Sequence, residues 1–455
     1  MANRRSRQYE LKKIELEVVN SGGGSNAYDI KDIVADFEYI ESIESPFVRC
    51  DFTIVDSVDF NKTLQGGEII NIDVVTDSAK GKHLKMKLKV FKIGSIIKSE
   101  RGQMYILHCA SPEIYNNEMS KVFKSFGPMG GGAKNISNIP KHLCEKYWGD
   151  DAKSRIKGKN FESHSTINFI SPNWKVTDAI SYLSDKVVRQ KGGKSSTKQS
   201  GYLFFENRDG YVFYSVDGLC EGAIQGAENF TYILQQQGAD PADDGMYSIE
   251  SVQYPDKADH LRNMRLGTYK SMLIGISLPI PTNSKLTDSG NNDKRGSITQ
   301  PKIIDFNQVF GMASTIEKTP PYEVPADIRD AGPTRMHIRA LPDMKNQRGS
   351  GPANAGTTSN EDTSQVGLYA SARYSLLKSV QLTIVVPGNT ALMAGQLIKV
   401  RIPASEQSSG NNAKVKEDRK YSGKYIIAAV SHTYKREGLT SKLTLMRDSI
   451  KKPSY

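Results

Sequence analysis

The first hundred residues alternate apolar and polar side chains with a period of two. Short segments rich in β-branched and aromatic residues are separated by turn-forming residues, a pattern typical of half-buried antiparallel strands. It predicts strands at 12–19, 33–40, 48–55, 68–75, 83–90 and 104–110. Strands spaced so regularly, with no helical pattern between them, are typical of a β-barrel or a β-sandwich.

The middle of the chain has the period of a helix instead. A Gly-rich stretch at 127–134 marks the boundary, and helices are predicted at 135–149 and 175–191. Two aromatic runs around an Asn-Arg-Asp-Gly turn predict a β-hairpin over 201–216. Residues 116–240 are therefore predicted to form an α+β domain inserted into a β-protein.

The period of two returns in the last third of the chain. Strands are predicted at 245–254 and 262–278, and the polar segments 281–297 and 344–365 are predicted to be mobile loops. A helix over 365–380 then leads into four further strands, the last two forming a hairpin around Lys-Arg-Glu-Gly. These strands are predicted at 381–387, 396–403, 423–434 and 439–448.

One nine-residue phrase occurs twice, as "LQGGEIINI" at 64–72 and as "LMAGQLIKV" at 392–400. Each copy passes through a Gly, which permits a turn conformation closed to other residues, and then starts a strand. The interpretation is that both mark the same corner of two similar domains. The alternative is chance, because a turn, a Gly and a strand often follow one another. The repeated positions are Leu64, Gly67, Glu68 and Ile70 in the first copy and Leu392, Gly395, Gln396 and Ile398 in the second.

Length and composition favour a soluble globular protein. The chain has 455 residues, enough for two to four domains, of which 38% are hydrophobic and 24% charged. Its longest apolar runs are too short to cross a bilayer, and its basic start has no apolar stretch behind it, so no secretory signal is predicted. The four cysteines form no C-x-x-C pair and are expected to be buried thiols of a reducing compartment. They are Cys50, Cys109, Cys144 and Cys220.

The formal charge of +11 raises the question of nucleic acid. The densest basic segment alternates Lys85, Lys87 and Lys89 with apolar residues, so on a strand the three lysines share one face. That face is predicted to meet solvent or the inside of a channel. Specific nucleic-acid recognition is disfavoured, because no aromatic side chains alternate with the lysines.

No catalytic or cofactor site is predicted. The Gly-rich stretch lacks the Gly-Lys-Ser/Thr of a phosphate-binding loop, and seven histidines are scattered singly without the spacing of a zinc site. Asp150 and Asp151 beside an aromatic residue are interpreted as a surface turn and not as a glycosidase pair. We therefore expect no catalytic residue, no metal and no cofactor.

Residues at both ends of the chain match one pattern. At the N-terminus the matching segment is 47–74. At the C-terminus the matching residues are Gly423 to Tyr425, Val430, His432, Thr440, Leu443, Leu445, Arg447 and Asp448. The C-terminal strands resemble the last tube-forming domain of the central baseplate hub proteins of contractile-tailed bacteriophages, and the hub segment of the spike proteins of contractile secretion systems. The N-terminal segment resembles the first tube domain of the same hubs.

The resemblance implies a mainly β chain with an α+β insertion. Two similar antiparallel β-barrel tube domains per chain would form a pseudo-six-fold ring in a trimer. On this reading the first tube domain is 1–115, the inserted domain 116–240, and strands of the second tube domain lie in 241–280. An insertion with polar loops and a helix occupies 281–375, and the second tube domain occupies 376–455.

The function implied is structural. Such a ring would adapt the hexameric tail tube to the trimeric central spike in the virion baseplate, after assembly in the host cytoplasm, with a lumen for the genome. Its partners would be copies of itself, the spike protein, tail-tube or tube-initiator proteins and baseplate wedge proteins. Contact with DNA in the lumen would be weak and non-specific, without insertion into a membrane. The alternatives are a basic β-barrel nucleic-acid-binding protein and the hub of a related contractile injection system.

Overall fold

The computed structural model describes most of the chain. The described residues are 8–19, 25–79, 82–100, 102–126, 138–165, 167, 169–191, 194–225, 230–234, 247–254, 259–277, 302–341, 363–404, 417–418 and 420–451. The Gly-rich stretch 127–134, the predicted loop 281–297 and most of the predicted loop 344–365 lie outside them.

Strands make up most of the N-terminal part of the fold. Along these strands the side chains alternate between more buried and more exposed positions, as the period of two in the sequence predicts. In chain order the strands are β1 Tyr9–Val19, β2 Ser25–Asp29, β3 Val34–Ser42, β4 Arg49–Asp56, β5 Ile69–Thr76, β6 Leu84–Ser99 and β7 Gly102–Ala110.

The middle of the chain mixes short helices and strand pairs. Its helices are α1 Glu113–Met119, α2 Ile139–Tyr147, α3 Asp150–Lys153, α4 Val176–Ser184 and α5 Val216–Cys220. Its strands are β8 Val122–Phe126, β9 Phe169–Trp174, β10 Val188–Lys191, β11 Lys194–Ser200, β12 Tyr202–Asn207 and β13 Gly210–Ser215. The pairs β8–β9 and β12–β13 line an aromatic core around Trp148, and β10 pairs with β11.

The remaining elements lead back to long strands. They are β14 Thr231–Leu234, β15 Ser248–Ile249, β16 Ser251–Gln253, α6 His260–Leu266, β17 Lys270–Ser277, β18 Lys302–Asp305, α7 Phe306–Met312, α8 Ala326–Asp330, β19 Arg335–Leu341, α9 Thr363–Leu377, β20 Val380–Pro387, β21 Leu397–Arg401, β22 Gly423–Lys435 and β23 Gly438–Arg447.

One sheet of fourteen strands contains the same strand order twice. The N-terminal part runs β3-β4-β7-β6-β5-β1, and the C-terminal part runs β16-β20-β23-β22-β21-β14. All neighbouring pairs in both runs are antiparallel except β14–β21, which is parallel. Each run covers its own buried apolar cluster, the first around Phe52 and Tyr105 and the second around Ile384 and Leu445. The chain is therefore mainly β, with two similarly ordered strand systems.

Two elements differ from the prediction, one at its end and one at its beginning. The helix predicted over 175–191 stops at Ser184, and Val188–Lys191 forms strand β10, which pairs with β11. The strand predicted over 262–278 begins as helix α6, because the Asp259 carboxylate accepts the Arg262 N–H at 2.8 Å and Gly267 ends the helix at a φ of 74°. Capping thus overrides the apolar pattern in this segment.

Strand pairing also crosses the ranges predicted for the domains. β14 falls within 116–240 but pairs with β21 in the large sheet. β17 falls within 241–280 but pairs with β18 and β19 in a separate three-stranded sheet. Local sequence carries no signal for either pairing, because a strand pattern does not name the neighbouring strand.

A buried arginine ties helix α9 to the end of β23. Arg373 is 2% exposed, and its Nη1 lies 2.7 Å from Asp448 Oδ2 while its Nε lies 3.3 Å from Asp217 Oδ1. Its Nη2 donates to the Ser314 carbonyl at 3.0 Å. Asp448 also accepts the Ile316 N–H at 3.1 Å, so helix, strand end and the 314–316 loop share one buried ion network.

Replacing this arginine should be costly. In Arg373→Leu two buried carboxylates lose their cation, so we expect the free energy of unfolding to fall by about 3–5 kcal/mol. The exposed pair Lys378–Glu44, one residue past the helix, supplies the control, and Lys378→Ala should cost about 0–1 kcal/mol. Urea unfolding midpoints measure both. Equal losses in the two variants would contradict the assignment of a buried network.

Candidate assembly surface

The two strand systems are joined edge to edge inside one chain. β3 pairs antiparallel with β22 over seven residues, from Ser42 opposite Ala429 to Asp36 opposite Lys435. On the core side of this junction Phe37 stacks on Tyr434 with ring centroids 4.0 Å apart. On the other side the Ser431 hydroxyl donates to the Glu38 carboxylate. The junction makes one continuous sheet of the two systems.

Glu41 on β3 secures this junction from within. Its Oε1 accepts the Tyr39 hydroxyl at 2.8 Å and the Arg208 N–H at 2.7 Å, and its Oε2 accepts the Ala394 N–H at 2.8 Å. One carboxylate thus holds β3, the β12–β13 turn and the repeated corner of the C-terminal system together. Burial raises the pKa of Glu41 to about 7, against the lowering effect of the Ala394 N–H and of Arg208.

The two copies of the repeated phrase have the same backbone geometry. Gly67 has a φ of 96° and Gly395 a φ of 87°. The Gly67 N–H donates to the Val90 carbonyl at 2.8 Å, and the Val90 N–H donates to the Glu68 carbonyl at 2.9 Å. In the second copy the Gly395 N–H donates to the Ile427 carbonyl at 2.8 Å, and the Ile427 N–H donates to the Gln396 carbonyl at 2.9 Å. Each corner therefore closes on the following strand in the same way.

The side chains after the two glycines close the same turn. The Glu68 Oε1 accepts the Gln65 N–H at 2.6 Å and the Gly66 N–H at 3.0 Å. The Gln396 Oε1 accepts the Met393 N–H, three residues before it, at 3.1 Å. An amide has one acceptor oxygen where a carboxylate has two. The N–H of Ala394, at the position of Gly66, is bound instead by Glu41.

The apolar members of the repeat face different cores. Ile70 is fully buried in the first cluster, against which Leu64 packs in part. Leu392 and Ile398 are each 1% exposed in the second cluster. The structure therefore brings the eight repeated positions together as two separate corners and not as one site.

An irregularity in the next strand adds a further match. The pairing of β6 with β7 shifts register between Val90 and Lys92, and the pairing of β22 with β23 shifts between Ile427 and Ala429. Because Val90 and Ile427 are matched by their bonds to the corner glycines, the two bulges occupy the same place. Lys92 and Ala429 are therefore equivalent positions.

Lys85, Lys87 and Lys89 lie on one face of β6, and acidic residues of β5 and β1 lie beside them. Lys85 and Lys87 are exposed, and Met86, Leu88 and Val90 between the lysines are buried. Lys85 Nζ lies 3.3 Å from Asp73 Oδ2, and Lys89 Nζ lies 4.3 Å from the ring centroid of Tyr115. Across the sheet Lys87 is in register with Asn71, which is in register with Glu15. Acidic neighbours thus offset the positive charge.

The C-terminal residues that carry the family resemblance have structural roles. Arg447 lies over the Tyr425 ring at 4.4 Å and its Nη1 donates to the Ser422 carbonyl at 3.1 Å. A Cβ on Gly423 would come within 2.6 Å of that Nη1, which explains the glycine. Burial lowers the pKa of His432 to about 4, so it is neutral where it pairs with Ser441 at 2.8 Å.

The described residues contain no cluster of three or more His, Cys, Asp or Glu side chains that could hold a metal ion. The four cysteines are buried, and burial raises the pKa of each thiol well above its usual value. Asp150 lies in the first turn of α3 beside Lys153, with its side chain 90% exposed. No described helix has both the length and the hydropathy to span a membrane.

Sequence reasoning missed the two buried charges that hold the units together, Glu41 and Arg373. Both lie within ordinary strand or helix patterns, and their partners are up to 353 residues away in the chain. The one local signal is a carboxylate at Glu41, where the alternation along β3 places a buried side chain.

Comparison with known proteins gives structural neighbours only. No protein-family model matches the chain, and no curated protein matches it. A tail protein from Neisseria meningitidis is 12% identical and has a TM-score of 0.47, with 96% of this chain and 98% of that one covered. The 43 kDa tail protein of prophage MuSo2 from Shewanella oneidensis is 10% identical with a TM-score of 0.48, covering 97% and 100%.

A PdpA–VgrG complex from Francisella is also similar, at 10% identity and a TM-score of 0.44, covering 98% of this chain and 54% of that one. The first two are tail proteins and the third is a VgrG complex.

The two corner glycines can be compared by substitution. Both positions have positive φ, so alanine should cost about 1–2 kcal/mol at each. A Cβ at Gly67 meets only Lys89 Cε at 3.8 Å, whereas at Gly395 it meets Ile224 at 2.5 Å and Phe205 at 2.8 Å. Gly395→Ala should therefore lose about 1–3 kcal/mol more than Gly67→Ala in chemical unfolding. A larger loss at Gly67 would rule out this account.

The pH dependence of stability should report on Glu41. Its pKa is about 7 in the folded chain and 4.5 in an unperturbed group, so the folded state binds the proton more tightly. Its contribution to the free energy of unfolding is full below about pH 4.5 and falls as pH rises through 7, by about 3 kcal/mol in all. In Glu41→Gln this fall should be absent.

The control for this measurement is Glu38→Gln, which removes an exposed carboxylate from the same strand. Unfolding curves at several pH values between 4 and 8 should show the wild-type slope in Glu38→Gln and a flatter one in Glu41→Gln. Parallel curves for wild type and Glu41→Gln would show that the buried carboxyl does not titrate in this range.

Proposed function

We propose that this chain is the structural central hub of a contractile tail baseplate, acting as a trimeric adaptor between a hexameric tail tube and a trimeric spike. The observation that carries the proposal is the strand order that occurs twice in one chain and is joined by the β3–β22 junction. Three chains with two such units each supply six similar units around one axis. Cyclic symmetry closes an assembly of this kind.

In this proposal the first tube domain is built from β1–β7. The second is built from β14–β16 and β20–β23, and so draws β14 from the range first assigned to the insertion. The α+β domain and the β17–β19 sheet decorate the ring. The two corners, from Leu64 to Ile70 and from Leu392 to Ile398, occupy equivalent places in the two tube domains.

A row of polar side chains supports a water-filled lumen. One row of residues that lie opposite one another on neighbouring strands runs from the first unit into the second, and every residue in it is polar. They are His108, Asp51, Glu38, Thr433 and Thr440, all exposed or half-exposed. Apart from His108, whose Nδ1 lies 2.9 Å from Asp51 Oδ1, the charged residues of this row are acidic, so the wall offers DNA phosphates little attraction and lets DNA slide.

No catalytic role is part of the proposal, and the partners are the spike, tail-tube or tube-initiator proteins and wedge proteins of a virion baseplate. A basic nucleic-acid-binding protein is less well supported, because Asp73, Glu15 and Glu17 lie on the same side of the sheet as the lysines. A hub of a related contractile injection system would use the same ring.

The proposal predicts a trimer. The purified chain, alone or with its spike, should give a mass of three times 50.4 kDa by light scattering, with the spike's own mass added in the complex. Because a hub can require its spike to trimerise, the complex is the stronger test. A monomer in both preparations, or salt-sensitive binding of duplex DNA by a monomer, would overturn the hub assignment.

A further inference from the structure

One long strand edge is left open in the N-terminal system. On one side β6 pairs with β7 through Ser99, but on its other side it pairs with β5 only as far as Lys89. In the described part of the chain, residues 92–99 of β6 have no strand on that side. An open edge of this length presents unpaired N–H and C=O groups and is usually covered.

The C-terminal system shows what covers the equivalent edge. β22 corresponds to β6, because Ile427 and Val90 make the same bonds to the corner glycines and the same bulge follows each. β22 pairs first with β21, as β6 pairs with β5, and from Ala429 onwards that same side pairs with β3. The edge open in β6 is thus the edge that β3 fills in β22.

The strand that corresponds to β3 has an open edge of its own. β3 pairs with β4, and at the same place in the second system β16 pairs with β20. The registers match Phe37 with Val252 and Glu38 with Gln253, since Phe52 and Ile384 are equivalent through β7 and β23. The other side of β3 pairs with β22. In the described residues the corresponding side of β16 pairs with no strand.

We propose that the open edge of β6 pairs antiparallel with β16 of a second copy of this chain, repeating between copies the β3–β22 junction within each copy. The inference rests on the proposed hub and names the strands that close its ring. Each copy offers one edge of each kind, so the contact is head-to-tail and closes only as a ring.

The internal junction also fixes the register between copies. In the junction Thr433 lies opposite Glu38, Tyr434 opposite Phe37, and Lys435 opposite Asp36. Through β7 and β23, Ile97, Lys98 and Ser99 stand at the places of those three β22 residues. The proposed pairs are therefore Ile97 with Gln253, Lys98 with Val252, and Ser99 with Ser251 of the second copy.

Exposed apolar side chains mark the same edge. Val55, Met104 and Ile97 are in register across three strands and are 51%, 39% and 58% exposed. Ile96, the neighbour of Ile97, is 48% exposed. A contiguous apolar row beside an open strand edge is typical of a surface that another chain covers.

The junction between copies should be weaker than the one within a chain. Lys98 stands where the buried Tyr434 stacks on Phe37, and described β16 offers three residues where β3 offers seven. A second copy therefore binds through fewer backbone bonds and without the aromatic stack, so formation of the ring should depend on protein concentration.

An engineered disulfide tests the register. Residues directly opposite in an antiparallel pair have Cα atoms about 4.5–5.5 Å apart, within the span of a disulfide. Ile97→Cys combined with Gln253→Cys should, on mild oxidation, give a covalent ladder that ends at a trimer on a non-reducing gel. Both positions are exposed, and the native cysteines are buried.

Two controls accompany it. Ile93→Cys with Gln253→Cys places the first thiol three paired positions away, about 10 Å along the sheet because β6 bulges between Gly94 and Ile97, and should not cross-link. Mixing the two single variants should give covalent dimers and nothing larger, which shows that the bond joins different copies.

The outcomes separate the two proposals. A trimer by light scattering without the Ile97–Gln253 cross-link would overturn the strand pairing and leave the hub intact. A cross-link in an assembly that is not a trimer would support the pairing and overturn the hub. Neither a trimer nor a cross-link would overturn both.

Discussion

The pairing of β3 with β22 is the contact on which the rest of this structure depends. It pairs residues 36–42 with residues 429–435, and it places β22 and β23 side chains in the first core, where Tyr434 and Leu439 are buried. It also brings Glu41 to the second corner and to the hairpin of the inserted domain. Without this junction the chain would have two separate sheets with long open edges, a form prone to aggregation.

Buried charge fixes how the units sit on one another. Apolar packing tolerates small shifts, but a buried carboxylate needs its donors in place, because an unpaired one is strongly destabilising. Glu41 fixes the corner and hairpin against β3, and Arg373 fixes helix α9 against the end of β23 through Asp448. The contacts of Glu41 and Arg373 therefore determine how the units are arranged, and the apolar cores supply most of the stability.

The two strand systems share their order and differ in their surroundings. At the first corner Glu68 satisfies its own turn and Gly67 faces open space beyond Lys89. At the second, Gln396 leaves one N–H to Glu41 and Gly395 is packed against Phe205 of the inserted domain. The two systems are therefore alike in strand order and different in detail, as the proposed ring would require of its alternating units.

The sequence by itself determined which segments are strands and which face of each is buried, because a period of two requires only local alternation; strands at 48–55 and 439–448 follow from it. It also identified both corner glycines, since the turn is local. It did not determine that β22 lies beside β3, that β14 joins β21, or that residues 260–266 are helical. Alternation names a face and not a neighbour, and a cap such as Asp259 outweighs a weak apolar pattern. The roles of Glu41 and Arg373 depend on contacts with partners distant in the sequence, and only the tertiary structure brings those partners together.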